Sequence, residues 1–354
     1  MGSTTAIEEK VKTLALELGA DFVGIAPRSR FEHAPEWTRP ENLLPDFRSV
    51  ISYGIAMNRG SLKAWFNKKT RRPQHLFLMW TRHQLEQLAL QLSHWLEGQG
   101  FDSTFVASND YFNFYRLQPD FSHKHSAVAA GLGKLGRSSN FMHPKFGTAV
   151  VLCSVITEAE LEPDPMIADD FDPCADCSIC IDICPTDAIS RKKIQSFVME
   201  EREFTHHLVN KAVCIWGCSG YTGHHYTMNG RTVGTWAYND LPVPIKEIKA
   251  AEERGDTGYA GIIDSFRNTR YRRPRHPMEI AEILLTHDHA GVKGTEYCGS
   301  CQKICVGTME NRRALLELHL NSGVVQIPKD PTMLNYLKDY NGSLQPYPIP
   351  GEET

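Results

Sequence analysis

Cys174-Ala175-Asp176-Cys177-Ser178-Ile179-Cys180-Ile181-Asp182-Ile183-Cys184-Pro185 constrains this chain more than any other segment. The spacing is C-x2-C-x2-C-x3-C-P, the bacterial iron–sulfur run. Three more cysteines, Cys298, Cys301 and Cys305, follow as C-x2-C-x3-C. Cys214 and Cys218 lie between the groups, and Cys153 stands alone upstream. A cubane cluster needs four thiolates converging on one small volume. Two-residue gaps let a tight loop turn several sulfurs inward, and a proline after the last one steers the chain away. Structural zinc takes pairs of C-x2-C or Cys with His, a poorer description of this pattern. A disulfide framework does not suit a chain of 354 residues with no export signal.

In two-cluster ferredoxins the fourth Cys of such a run ligates the other cluster. Cys174, Cys177, Cys180 and Cys305 are therefore expected to hold one [4Fe-4S] cluster. Cys184, Cys298, Cys301 and one further Cys hold the other. Cys214 is preferred for that last position over Cys218. The cysteine left over, and Cys153, read as small buried hydrophobes.

At 41% hydrophobic and 23% charged residues, the chain has enough apolar material for a sizeable core. Its net charge of −4 argues against a generic nucleic-acid binder. No apolar run is long enough to span a membrane, and a cytoplasmic protein is expected. Apolar spacing predicts a helix over 5–18, strands at 21–26 and 50–56, a helix over 80–97 and strands at 101–107 and 148–157. The Pro- and Asp-rich stretch 162–173 looks like a domain boundary. A long insertion, 206–296, separates the two Cys groups. It carries His224-His225, read as surface, and the basic run Arg267, Arg270, Arg272, Arg273, Arg275 and His276. That run is either a solvated face or a contact for an acidic substrate or partner. Gly131-Leu132-Gly133-Lys134-Leu135-Gly136 matches G-x-G-x-x-G in form. However, it follows an Ala-rich helical segment rather than a strand, so a nicotinamide loop is not expected.

The order of motifs resembles the cobalamin- and iron–sulfur-dependent reductases, which include reductive dehalogenases and epoxyqueuosine reductases. The resemblance runs from His125-Ser126-Ala127-Val128-Ala129-Ala130-Gly131 through Arg137, His143-Pro144-Lys145-Phe146-Gly147 and the strand to Thr157. It ends in the Cys groups. It implies an α+β protein with a nitroreductase-like cobalamin-binding domain over 1–162. A ferredoxin-like domain with two [4Fe-4S] clusters would cover 163–325, with a tail over 326–354. It implies base-off cobalamin, since no D-x-H-x-x-G motif supplies a histidine ligand. Gly131, Gly133, Gly136, Arg137, Ser138, Ser139 and Asn140 would lie against the corrin. The implied function is reductive cleavage of a carbon–heteroatom bond in a small molecule, with electrons from a ferredoxin or flavodoxin.

Within the superfamily the chain looks closer to the dehalogenases. The aspartate that epoxyqueuosine reductases carry before the glycine element is Leu117 here, and His123-Lys124 replaces their acidic–arginine pair. Nucleic acid is accordingly not expected as a partner. Tyr111, then Tyr115, are the candidate proton donors, with Lys124, His123 or Arg116 nearby to favour phenolate. An aromatic stretch of this kind also serves as core packing. Alternative readings are the epoxyqueuosine branch, a two-cluster electron carrier without a substrate, and flavin in place of cobalamin.

Overall fold

The chain alternates apolar residues across a sheet whose two faces are both covered. A computed structural model describes residues 4–67, 72–108, 112–113, 118–172, 174–184, 186–218, 227–228, 231–232, 245–254, 299–322, 324–326, 336–338 and 344–346. Helix α1 (Thr4–Glu17) leads into β1 (Phe22–Pro27), β2 (Ser49–Ala56), α2 (Arg59–Phe66) and α3 (Arg72–Gly98). Next come β3 (Ser103–Val106), the paired dipeptides β4 (Phe112–Asn113) and β5 (Gln118–Pro119), and α4 (His123–Ala129). A small ribbon, β6 (Lys134–Leu135) with β7 (Phe141–Met142), precedes β8 (Val150–Thr157).

The four-stranded sheet has the order β1-β2-β8-β3, and every pairing is antiparallel. Period-two alternation decides which side chain faces which helix. Ile51, Tyr53, Val151, Cys153 and Val155 pack with Val11, Leu85, Leu88 and Leu92 of α1 and α3. Val50, Leu152 and Ile156 face the other way, onto Ala127, Val128 and Ala129 of α4. β8 is buried along its whole length, as a strand covered on both faces must be. α3 begins earlier than the expected 80–97. Pro73 stands in its first turn, where a missing N–H costs nothing.

The cysteine-bearing part follows the 162–173 stretch. It comprises α5 (Ile179–Asp182), the hairpin β9 (Ile189–Met199) and β10 (Arg202–Val209), α6 (Lys211–Cys218), α7 (Ile245–Glu253), α8 (Ser300–Lys303) and α9 (Met309–Asn321). β10 runs through residue 206 and α6 follows it, so the first part of the 206–296 stretch is packed structure. Short strand pairs also form at 227–232 and between 324 and 346.

The 162–173 stretch is tied to the sheet. Asp164 exchanges backbone bonds with the edge strand: its N–H donates to Ile25 O at 3.0 Å, and its carboxylate accepts from Ile25 N at 2.8 Å. Lys12 pairs with the same carboxylate at 2.6 Å. No helix among the described residues is long and apolar enough to cross a membrane.

α4 ends in a Schellman cap. Leu132 N donates to Ala127 O and Gly131 N to Val128 O, both at 3.0 Å, with Gly131 at φ +74°. The first glycine of the G-x-G-x-x-G pattern is therefore a helix stop. A Cβ at Gly131 would lie 2.0 Å from Pro165 O. Gly131→Ala is expected to lose at least about 1–2 kcal/mol from the left-handed backbone alone, with the clash adding to it. A drop in the thermal unfolding midpoint checks this; an unchanged midpoint would contradict the cap.

Candidate functional site

α4 carries the two charged candidates on different faces. His123 Nε2 lies 3.0 Å from Ala107 O and Nδ1 3.0 Å from Ser154 Oγ. A carbonyl only accepts, so Nε2 carries the proton and Nδ1 takes that of Ser154. Both ring nitrogens are thus engaged within the chain. Ser154 continues into a buried hydroxyl cluster through Ser52, at 3.3 Å, which in turn meets Ser126. His125 points elsewhere. Its Nδ1 meets Ser122 Oγ at 2.6 Å, and its ring packs edge-on against Trp37 and Phe197. Burial, with Lys124, His206 and Lys211 around it, lowers its pKa to about 3. It is a neutral core histidine. As expected for i, i+2 on a helix, His123 and His125 do not form a metal pair.

Lys124 Nζ donates to Ser139 O at 2.7 Å and is half-buried. Burial, then repulsion from Lys211, lowers its pKa to about 8, against the attraction of Cys214 and Cys301. Ser139 itself sits at φ +59° in the turn that follows the glycine element. That turn touches both cysteine groups. Arg137 donates to Ala175 O at 3.0 Å, and Asn140 Nδ2 donates to Cys301 Sγ at 3.6 Å.

No disulfide joins the eight described cysteines. Burial pushes the Cys180 thiol well up, and the charges of Cys301, Cys174, Cys305 and Cys177 around it push further. Cys174 is raised by burial and by Cys305, while an Arg137 hydrogen bond opposes this. Cys305 is raised by burial and by Cys177, while Arg312 and Thr148 oppose it. The four thiols expected for the first cluster are thus electrostatic neighbours. Cys184, Cys214 and Cys301 share a second apolar cluster with Cys180, Ile181 and Val213. Ala188 N donates to Cys184 Sγ at 3.3 Å, the kind of bond a thiolate accepts well. Among the described residues, no three of His, Cys, Asp or Glu close to the spacing of a single metal ion. The grouping is one of neighbourhood, with soft donors throughout. Its chemistry fits iron–sulfur clusters, whose iron displaces the thiol protons that burial retains.

A cleft of about 300 Å³ opens beside α4, and His123, Lys124, Asn140, Arg82, Thr148 and Gln302 line it. That is the volume of a small substrate or of part of a larger cofactor. His123 has no nitrogen left to ligate cobalt, which fits a corrinoid held without a histidine ligand. The Cβ positions of Gly131 and Gly133 face protein backbone, at Pro165 and Met142. Gly136 lies beside Cys174 Sγ. Of the glycine element and the turn after it, Asn140 reaches the cleft.

Tyr111, Tyr115, Arg116, Cys298, His224-His225 and the basic run 267–276 lie outside the described residues, as does the side chain of Cys218. Sequence reasoning missed Arg82, Thr148, Ser154 and Gln302. Only Gln302 carried a signal, since it stands between Cys301 and Cys305.

No family model matches the chain. An epoxyqueuosine reductase from Synechococcus sp. is 28% identical over 225 residues, covering 56% of this chain and 64% of its own length. A tetrachloroethene reductive dehalogenase from Dehalobacter restrictus is 32% identical over 117 residues, 33% of this chain and 19% of its own length. Among solved structures, a catabolic reductive dehalogenase superposes with a TM-score of 0.48 at 16% identity, over 61% of this chain and 30% of that one. The chain spans between 16 and 64% of the first curated relatives it matches.

Cys174→Ser and Cys305→Ser should each remove about half of roughly eight irons in anaerobically purified protein. Cys153→Ser should keep them all. Its thiol is fully buried in β8 and reaches Val106 O at 3.5 Å. Equal iron loss in all three variants would contradict the assignment.

Proposed function

We propose that this chain, which belongs to the superfamily of cobalamin- and iron–sulfur-dependent reductases, is a cobalamin-dependent reductase that cleaves a carbon–heteroatom bond in a small molecule. Two [4Fe-4S] clusters would feed it electrons, as in the reductive dehalogenases. The observation that carries this is the placement of Asn140 and Lys124. Both line the cleft; Asn140 touches Cys301, and Lys124 lies in the field of Cys214 and Cys301. Asn140 thus joins the cleft to the second cysteine set, and Thr148 on the same wall donates to Cys305 O of the first.

Overall, R–X takes up two electrons and one proton to give R–H and X⁻. A bound corrinoid supplies the low-potential reduction at carbon that amines and thiols cannot. The chain's own part is orientation, exclusion of water and the proton. Lys124 Nζ, fixed on the Ser139 carbonyl, holds a proton at the cleft at neutral pH. It can donate directly or favour the phenolate form of Tyr111 or Tyr115. His123 positions rather than donates, because its N–H is committed to Ala107 O.

A second reading, reduction of epoxyqueuosine, is favoured by the longer matches to epoxyqueuosine reductases, 56% of this chain against 33% for the dehalogenase. It would make RNA a partner.

The deciding experiment is anaerobic iron and corrinoid analysis with spectroscopy. Roughly eight irons and bound base-off corrinoid would support the proposal; clusters without corrinoid affinity would leave an electron carrier. The corrinoid-loaded protein is then screened with organohalides and with epoxyqueuosine-bearing RNA. Turnover of the RNA alone would establish the second reading.

Activity that depends on protonated Lys124 should fall as pH rises through about 8. Lys124→Met should lose that alkaline limb and about 10²-fold in turnover, with iron retained. For stability the sign is opposite. The folded pKa lies below that of the unfolded chain, so between about 8 and 10.5 the unfolded state binds more protons and stability rises with pH. Lys124→Met should remove that rise in thermal midpoint.

A further inference from the structure

A groove of about 290 Å³ runs between α2, the Phe146 turn and α9. Its floor is apolar, with Leu62, Phe146 and Leu318. Its rim carries Arg59, Lys63 and Lys145, all exposed, and no carboxylate among the lining residues. In a chain of net charge −4 this is a local excess of positive charge around an apolar floor. The groove also ends on the first cysteine set. Val306 and Gly307 line it directly after Cys305. Gly147, at φ +68°, packs so closely there that a Cβ would lie 2.2 Å from Cys305 O.

The other cleft that reaches this cysteine set is different. It borders Cys174, but Lys134, Arg137 and Arg202 on its walls face Asp169, Asp172 and Glu203. Those charges cancel, and Arg202 is already paired with Asp169.

We propose that the groove between α2, the Phe146 turn and α9 is the docking surface for an acidic one-electron carrier protein that reduces the first cluster at its Cys305 side. The proposal rests on the two-cluster reading and adds the point of electron entry. Each docking event oxidises the carrier by one electron and reduces the chain by one. Two events supply the pair that bond cleavage consumes. The cations steer encounter, and the apolar floor takes up the hydrophobic contact at the centre of such interfaces.

The test uses the anaerobic holoprotein and follows bleaching of cluster absorbance after mixing with prereduced flavodoxin, so no substrate is needed. Arg59→Glu/Lys63→Glu/Lys145→Glu should slow reduction by flavodoxin at low salt by at least about tenfold and flatten its salt dependence. Reduction by dithionite should be unchanged. The control Lys192→Glu/Lys193→Glu puts two of the same charge reversals on the exposed part of β9, against three in the groove, so its expected effect is compared per reversal. A triple variant as fast as the unaltered protein would overturn the proposal. So would equal slowing per reversal in the control, which would make net charge the cause. A protein without iron would fail earlier, at the iron analysis, and would sink the two-cluster reading itself.

Discussion

Cysteines far apart in the chain can act together only if something rigid holds the last of them in place, and β8 does this. Thr148 N–H donates to Cys305 O at 2.8 Å, Thr148 Oγ1 to Gln302 O at 2.7 Å, and Gln302 Nε2 to Val150 O at 2.9 Å. These bonds extend the entry of the most buried strand onto α8, which carries Cys301, and onto Cys305 just after it. A buried polar group left unpaired costs more than a hydrogen bond contributes. The pairing is therefore strongly specified, and loss of any one bond exposes others. The same strand holds Ser154, whose hydroxyl meets Nδ1 of His123, while Ala107 O sets the tautomer. One strand thus sets both the cysteine geometry and the wall of the cleft.

Arg30 plays the matching part on the opposite side of α4. Its guanidinium donates to Ala129 O and Asp164 O, each at 2.7 Å, and lies 3.7 Å from Glu200. A cation at a helix C-terminus is favourable in itself. Here it also joins α4, the 162–173 stretch and the turn between β9 and β10. Burial lowers its pKa, and Glu200 and Asp164 oppose that shift.

Most of this was legible where a physical rule is strong and local. The β-branched, apolar run 148–157 revealed a strand, and the spacing of Cys174, Cys177 and Cys180 pointed to thiols that the fold makes electrostatic neighbours. The Ala-rich run before Gly131 indicated that the glycine follows a helix. What was hidden depends on partners distant in sequence. Arg72–Met79 gave no clear helix signal because Gln74 is buried and Leu76 is exposed there. The β9–β10 hairpin escaped because Arg191 to Ser196 lie in solvent and only Phe197, Met199 and Phe204 face the core. Lys124 could be named as a candidate, but its environment could not. That environment depends on Lys211 and Cys301, both remote along the chain.

On the two-cluster reading proposed above, the placement of charge has a physical reason. Each electron added to a buried centre adds a negative charge in a medium of low dielectric, where interactions with neighbouring charges are several-fold stronger than in water. Cations near each group offset that cost. Arg312, buried at the start of α9, acts on Cys174 and Cys305. Lys124 acts on Cys214 and Cys301, and Lys211 adds to the positive field there. The two lysines repel each other, and burial penalises both. Such an arrangement is unfavourable by itself and becomes reasonable only beside thiolates. The cleft beside the second cysteine set therefore has Lys124 and Asn140 on the wall that faces Cys301.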